Sequence, residues 1–500
     1  MSNHVVSIRI NAKGYEDFLD SRFRYANRLY NKMVQYINDQ EHNRVNSDEY
    51  KRLKDETTAL KDLENQINLT SDKNQKKQLK DELKQRTAIL KNDWITLNKS
   101  YNLLFGKFVN PATQYGPVSD LYQTLIKSYK IPSEVATSAI TNAAQAYMKR
   151  KQNANGNLTL KFKPLRDLHS IQFRKSGFKL FNDGIQINKN RKSNVKFPFI
   201  FRSTDEERYL YALEREKVAL VQITRRTTAS GKRLYYANII FSGTPYNYTT
   251  IGKPNTQVGI DVGVSKLTAY ASDGSLKTFE LSIGQEYKSQ LSHLTQQMEW
   301  KRRIGNPQNY NSDGTIKSGK LTWNYSKAYL RLRDKFKELN YKITQKRKHH
   351  INHIVKELSS MGNNFYVENL DYSKMQEKKP LEEKSDGSGY KSRKNYGESL
   401  LYASPAMVIA TLQEKLSYQN IELVKLSTFD TKLSQINHIT GQYTKVSLSE
   451  KYRNINGFNI NRRLYTAFLL SQFDGDLEFK NITTDNFTKM LPANNTIKDF

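Results

Sequence analysis

Two short apolar runs, each broken by a carboxylate, constrain this chain more than any other feature. Val258-Gly-Ile-Asp261-Val-Gly-Val264 and Phe365-Tyr-Val-Glu368-Asn-Leu-Asp371 have the length and the β-branched or aromatic content of strands. Their near-continuous apolar character predicts burial on both faces. A carboxylate set into such a strand is costly unless a cation or hydrogen bonds balance it. Around these strands the pattern alternates between strand and helix. Residues 267–271 continue toward a Ser272-Asp-Gly274 turn, a long basic helical pair spans 287–304 and 326–358, Ser404-Pro405 opens another helix, and 421–426 reads as a strand. That alternation predicts an α/β domain.

Upstream the texture differs. Residues 5–10 alternate as a half-buried strand, and from Tyr15 the period becomes helical, with Phe18, Tyr25, Ala26, Leu29, Met33, Tyr36 and Ile37 recurring on one face. Charged, amide-rich segments over 46–100 keep helical character through Leu79, Leu83 and Leu90. Pro132-Ser133 then starts a helix carrying Val135, Ala139, Ile140, Ala143 and Tyr147. After Asn153-Ala-Asn-Gly156, short strands are expected at 158–163, 171–174, 178–180 and 185–187, with a hairpin of 218–227 and 234–241 around Ser230-Gly231. Regular short strands suggest a small barrel. Lys161, Lys163, Arg174, Arg225 and Arg226 alternate outward on them and suit a nucleic-acid-facing surface. Residues 251–256 read as a linker and 374–396 as a charged, Gly/Ser-rich loop.

Charge names the partner class. The chain has 80 Lys+Arg against 49 Asp+Glu, a net +31, which repels itself unless a polyanion neutralises it. Thirty-one tyrosines and 22 phenylalanines add surfaces on which bases can stack. The absence of cysteine removes disulfides, thiolate zinc sites and cysteine nucleophiles. Neither a signal-peptide run nor a membrane-length apolar stretch is visible, so the expectation is a soluble, intracellular protein without a membrane partner.

At this point the residues resemble a known family. Val258-Gly-Ile-Asp261-Val-Gly-Val264-Ser-Lys-Leu267 followed by Ser272-Asp-Gly274 is similar to the first RuvC motif of the TnpB proteins and the miniature type V CRISPR effectors, and Val367-Glu368-Asn-Leu-Asp371 to the second. The basic helix with Gln345-Lys-Arg-Lys-His-His350 resembles the one preceding motif two. Tyr30-Asn-Lys32 and Leu160-Lys-Phe-Lys163 match the N-terminal half, while residues 40–130 match in helical character alone. The resemblance implies a multidomain α+β chain: a wedge β-barrel (its first strand in 1–14, the remainder in 154–250) interrupted by a helical recognition insert (15–153). After the linker 251–256 would come an α/β, RNase H-like RuvC domain (257–500), with a zinc-ribbon region at 430–458. It further implies a guide RNA as cofactor and double-stranded target DNA as partner, pairing reading sequence and protein reading shape and a flanking motif. Arg302, Arg303, Lys346, Arg347 and Lys348 then join the barrel cations as nucleic-acid-binding residues.

Two departures qualify the resemblance. Motif three in the family is Asp-x-Asn opening a helix, and here Asn459-Ile460-Asn461 takes its place. The catalytic triad becomes Asp261, Glu368 and Asn459, with Asp261 and Glu368 holding a residual Mg²⁺ at most. Loss of an anion that touches the metal is expected to cost at least ~100-fold in activity. The downstream Asp474, Asp476 and Asp485 lie too far along the chain for simple replacement. Likewise the ribbon motif Ser-Gln-x-Cys-x-x-Cys-Gly reads Ser434-Gln435-Ile-Asn437-His-Ile-Thr440-Gly441, so Asn437 and Thr440 stand at degenerate zinc positions and no zinc is expected. His438 reads as a surface residue, and the family's second cysteine pair would fall within 452–458, where this chain has Arg453-Asn-Ile-Asn456-Gly457 instead. The preferred reading is a nuclease-inactive, RNA-guided DNA-binding protein controlling transcription, by repression or by recruiting RNA polymerase or a sigma factor, with a homodimer on one guide compatible with its size. The alternatives are an active RuvC DNA endonuclease of the same family and a guide-independent basic DNA-binding protein.

Overall fold

Strand β1 (Asn3–Ile10) alternates as its sequence does: His4, Val6, Ile8 and Ile10 are buried and the residues between them are exposed or partly so. In the computed structural model, residues 1–2, 102, 104–122, 124–132, 154–157, 174–176, 191–192, 203, 247–249, 320, 378–381, 383–395, 446, 448–449, 474, 476–481 and 497–500 are left undescribed; all others are described. Two compact units result: residues 1–227 with 232–245, and residues 246–500 with 228–231.

In the first unit, β1 pairs along its whole length with β7 (Arg233–Ser242), and at Arg9 and Ile10 with β5 (Ser193–Ile200). With β2 (Ser170–Phe173), β3 (Phe178–Phe181), β4 (Gly184–Asn190) and β6 (Lys217–Thr227) it forms an antiparallel sheet of order β2-β6-β7-β1-β5-β4-β3. The β6–β7 hairpin turns at Gly231, whose φ of +82 suits glycine. No pairing of β2 with β3 closes this order among the described residues. One expectation needs correction here. Residues 158–163 form no strand; side-chain amides of the long helix α1 (Glu16–Asn46) hold them instead. Asn38 exchanges two bonds with the Leu160 backbone (2.8 and 3.0 Å), and Asn31 does the same at Lys163 (both 2.9 Å). Strand β5 is not among the strands named from the sequence, and it carries an interior proline, Pro198, that cannot donate to a ladder. It survives because β1 pairs with it only at its end.

Helix α1 buries Leu19, Phe23, Ala26, Leu29, Met33 and Ile37 against α4 (Ser133–Asn153), at the 3.6-residue spacing the sequence shows. Helices α2 (Asp48–Leu69) and α3 (Lys73–Ser100) form a hairpin with its own small core of Leu53, Leu60, Leu63, Ile67, Leu90 and Leu97. Ser47 and Asp72 cap these two helices by accepting first-turn N–H groups. Helix α5 (Asp205–Arg215) lies between β5 and β6.

The second unit is the mixed α/β layer structure. Its sheet runs β10 (Leu276–Glu280), β9 (Lys266–Ala271), β8 (Gln257–Val262), β11 (Asn364–Asn369), β12 (Leu423–Ser427); β8–β11 and β11–β12 are parallel and the rest antiparallel. Residues 251–256 pack into this unit, Gly252 N–H donating to the Ser359 carbonyl at 2.9 Å. One face of the sheet (Val258, Ile260, Val262, Phe365, Val367) packs on α7 (Lys327–Ser359) and α9 (Pro405–Ser417), which follow α6 (Lys288–Gly305) and α8 (Gly397–Ala403) in the chain. The other face receives α10 (Arg462–Ser471), through Leu464, Tyr465, Phe468 and Leu469. Gly259 permits the contact, since a Cβ there would fall on the α10 backbone at Ala467. A hairpin of β13 (Tyr452–Ile455) and β14 (Phe458–Asn461) turns at Asn456-Gly457, both at positive φ, and leads into α10; α11 (Thr484–Thr496) follows.

Candidate acidic site

Side chains alternate along a strand, so the residues flanked by the α7-facing ones must look the other way. Gly259 and Asp261 on β8, and Tyr366 and Glu368 on β11, therefore share the face that receives α10. The parallel register Val367↔Ile260 sets Glu368 beside Asp261. The two carboxylates singled out in the sequence lie side by side.

Their electrostatics follow from burial. Desolvation pushes the Asp261 carboxyl above its ordinary value, and the charges of Arg463 and Arg462 pull the other way. Arg463 Nη1 donates to Asp261 Oδ2 at 3.2 Å. Glu368 is pushed up to about 7 by burial and by the neighbouring Asp261 charge, while hydrogen bonds from the Leu433 backbone and the Thr431 hydroxyl offset part of that. Tyr372 closes one side: its hydroxyl donates to the Val262 carbonyl at 3.2 Å, and burial raises its pKa.

Asn459 is exposed on β14, opposite Asn454. From this third segment, Arg463 is the residue that reaches Asp261, and Asn461 caps α10 by accepting from the Arg463 and Leu464 N–H groups at 3.0 and 3.4 Å. Sequence reasoning misses Arg463, although a signal is there. Two arginines in a helix's first turn oppose the helix dipole, so some other charge must account for them.

A divalent ion needs oxygen ligands that are free to turn toward it. Here one carboxylate is bonded to a guanidinium and the other accepts from Thr431 and Leu433. Among the described residues no group of three or more His, Cys, Asp or Glu is placed to hold a metal. As they stand, these residues do not fit a two-metal centre.

The degenerate zinc region is held by another arginine. Arg453 on β13 is buried, and its guanidinium donates to the carbonyls of Ser434 (2.9 Å), Gln435 (3.0 Å) and Ile436 (3.0 Å). Asn437 Oδ1 accepts from Ile439 N–H at 3.0 Å, and Thr440 Oγ1 accepts from Gln442 N–H at 3.3 Å, so both substituted positions serve the turn. His438 is not a surface residue. It is half-buried among Tyr465, Phe468 and Phe487, and burial pulls its pKa down to about 4. Its Nδ1 is hydrogen-bonded to the Tyr465 hydroxyl at 2.7 Å, and that oxygen also accepts the His438 backbone N–H at 3.1 Å.

The expected nucleic-acid cations divide. Lys161 and Lys348 are exposed, Arg226 and Arg347 partly exposed, and exposed Lys163 sets its ammonium 4.4 Å from the Tyr30 ring centre. Lys346 pairs with Glu286, Arg302 with Glu299 and the Tyr310 hydroxyl (3.0 Å), and Arg303 with the Gly314 carbonyl (3.2 Å). Arg225 is a correction. It turns inward, bonding Asp20 at 2.9 Å and the Leu165 carbonyl at 3.0 Å under the Phe23 ring, because β6 places it over α1. Arg174, Asp474 and Asp476 lie outside the described residues, as does most of 374–396. No helix of the described residues is long and apolar enough to cross a membrane.

Fold and site together define a two-unit α/β protein with a paired-carboxylate sheet and a strongly basic surface. No protein-family model matches the chain, and no curated protein matches it. Among solved structures it is similar to Cas12f1 in an sgRNA–target DNA complex, at 13% identity over 95% of this chain and 99% of that one, with a TM-score of 0.38. It is similar also to the Cas12f protein of a CRISPR ternary complex (13% identity, 95% and 99% covered, TM-score 0.27) and to Cas12i in a crRNA–dsDNA complex (12%, 96% and 65%, TM-score 0.24). At such identities and TM-scores these neighbours assign neither a residue role nor an activity.

Proposed function

We propose that this chain is an RNA-guided DNA-binding protein of the TnpB and miniature type V kind that binds its target without cutting it. The observation that carries the reading is the juxtaposition of Asp261 and Glu368 on one sheet face, at the first two motif positions, with the amide Asn459 at the third. The +31 charge supports a polyanionic partner. In this reading the first unit supplies the wedge barrel and helical insert, the second a RuvC-like fold with a zinc-free ribbon, and the bound complex acts on transcription. A protein that stays on its target blocks a promoter or brings RNA polymerase or a sigma factor to it. A homodimer on one guide belongs to the same proposal.

The test is direct. Full-length protein is purified gently, its bound RNA is sequenced, and the complex is incubated with matched duplex DNA and Mg²⁺. The expected result is RNA of uniform length, guide-dependent DNA retention and intact strands. Scission abolished by Asp261→Ala would establish the active-endonuclease reading instead. Binding to DNA with no copurified RNA would establish a guide-independent basic DNA-binding protein.

A further inference from the structure

The acidic pair already has a cation. Arg463 reaches it from the first turn of α10, the end of a helix that favours anions. Asn461 satisfies the N–H groups of that turn, so no capping need explains an arginine there. Room for the guanidinium comes from Gly263, where a Cβ would fall directly on it. The resulting Asp261–Arg463 pair is largely shielded, with side chains 15% and 35% exposed. A guanidinium cannot be deprotonated in a protein, so this positive charge is permanent.

We infer that Arg463 is a tethered cation standing in for a divalent metal ion, so that the Asp261–Glu368 pair excludes divalent cations and removing the guanidinium opens a site for one. The inference rests on reading these carboxylates as the remnant of a two-metal centre, and it adds a second barrier to cleavage besides Asn459. Restoring an aspartate at position 459 alone then leaves Arg463 competing with any ion for Asp261.

Mn²⁺ is the probe, titrated into full-length protein freed of nucleic acid and followed by the electron paramagnetic resonance of free Mn²⁺ and by thermal unfolding. Wild type and Arg463→Lys should show no Mn²⁺ uptake that Asp261→Asn removes. Arg463→Ala should bind one Mn²⁺ that wild type does not, at least ~10-fold more tightly than any weak uptake by wild type, with a Tm that rises on adding the ion. Both effects should vanish in the Arg463→Ala/Asp261→Asn double variant. Arg463→Gln keeps the length and hydrogen bonding without the charge, and serves if the alanine variant does not fold. An Asp261-dependent Mn²⁺ site in wild type overturns the inference, as does the absence of added uptake in both neutral variants. The titration needs neither guide nor target. A wild-type Mn²⁺ site alongside copurified guide RNA would therefore reject this inference and leave the proposed function intact, and the converse would reject only the function.

Discussion

Glu368 keeps its proton to about pH 7 because β11 buries it and the Asp261 charge lies beside it. A carboxyl in the unfolded chain titrates near 4.5, so between the two values the folded protein binds more protons than the unfolded one. Stability therefore falls as pH rises through that window. At about 1.4 kcal/mol per decade the loss is at most about 3 kcal/mol, reduced where solvent reaches the half-buried carboxyl. Glu368→Gln keeps the acceptor for Thr431 and Leu433 and removes the titration. It should leave stability near pH 4.5 little changed and raise it at pH 8 by about 1–3 kcal/mol, read from denaturant unfolding at both values. Equal destabilisation at the two pH values would show that packing, not charge, holds Glu368 in place.

The element that most resembles a lost metal site is the turn at 434–443, and a guanidinium holds it. Arg453 satisfies three carbonyls at once, through charge-assisted bonds that are each worth about 1.5–3 kcal/mol. Arg453→Met should destabilise the protein by about 3 kcal/mol, allowing for partial replacement by water. Amide exchange over 433–443 should quicken, while EDTA leaves wild-type unfolding unchanged; a chelator-dependent fall in Tm would mean that a metal holds this turn. His438 titrates in the opposite sense to Glu368. Its folded pKa lies below the unfolded value, so its contribution is present above about 6.5 and lost as pH falls toward 4. The two groups oppose each other across a shared window, which is why single variants are needed to see either. The sequence made β8 and β11 legible because a carboxylate inside an apolar run has few explanations. It hid Arg453 and Arg463, since an arginine that turns inward to carbonyls or a carboxylate looks like any basic residue on a basic chain. It also misled at 158–163, where apolar alternation is real but the hydrogen-bond partners are Asn31 and Asn38 of a helix.

At the scale of the whole molecule, a net charge of +31 says that something anionic binds but not which cations touch it. The structure sorts them by what they already hold. Lys161 and Lys348 are exposed, whereas Arg225 is committed to Asp20 and backbone carbonyls within the first unit. Removing one cation that neutralises a duplex phosphate lowers the magnitude of the slope of log K against log salt by about 0.9. The Lys161→Ala/Lys348→Ala variant should therefore bind more weakly across all sequences, with a slope smaller by about 1–2 and an unchanged Tm. Arg225→Ala should do the reverse. It removes one partner of a shielded pair, though Asp20 keeps Arg233 and the Tyr235 hydroxyl, so a loss of about 2 kcal/mol in stability is expected with the salt slope preserved in the folded fraction. Filter binding over a salt series, run beside thermal unfolding, separates the two. A reduced slope for Arg225→Ala at full stability would put its guanidinium on a phosphate and return it to the binding surface its strand position suggests.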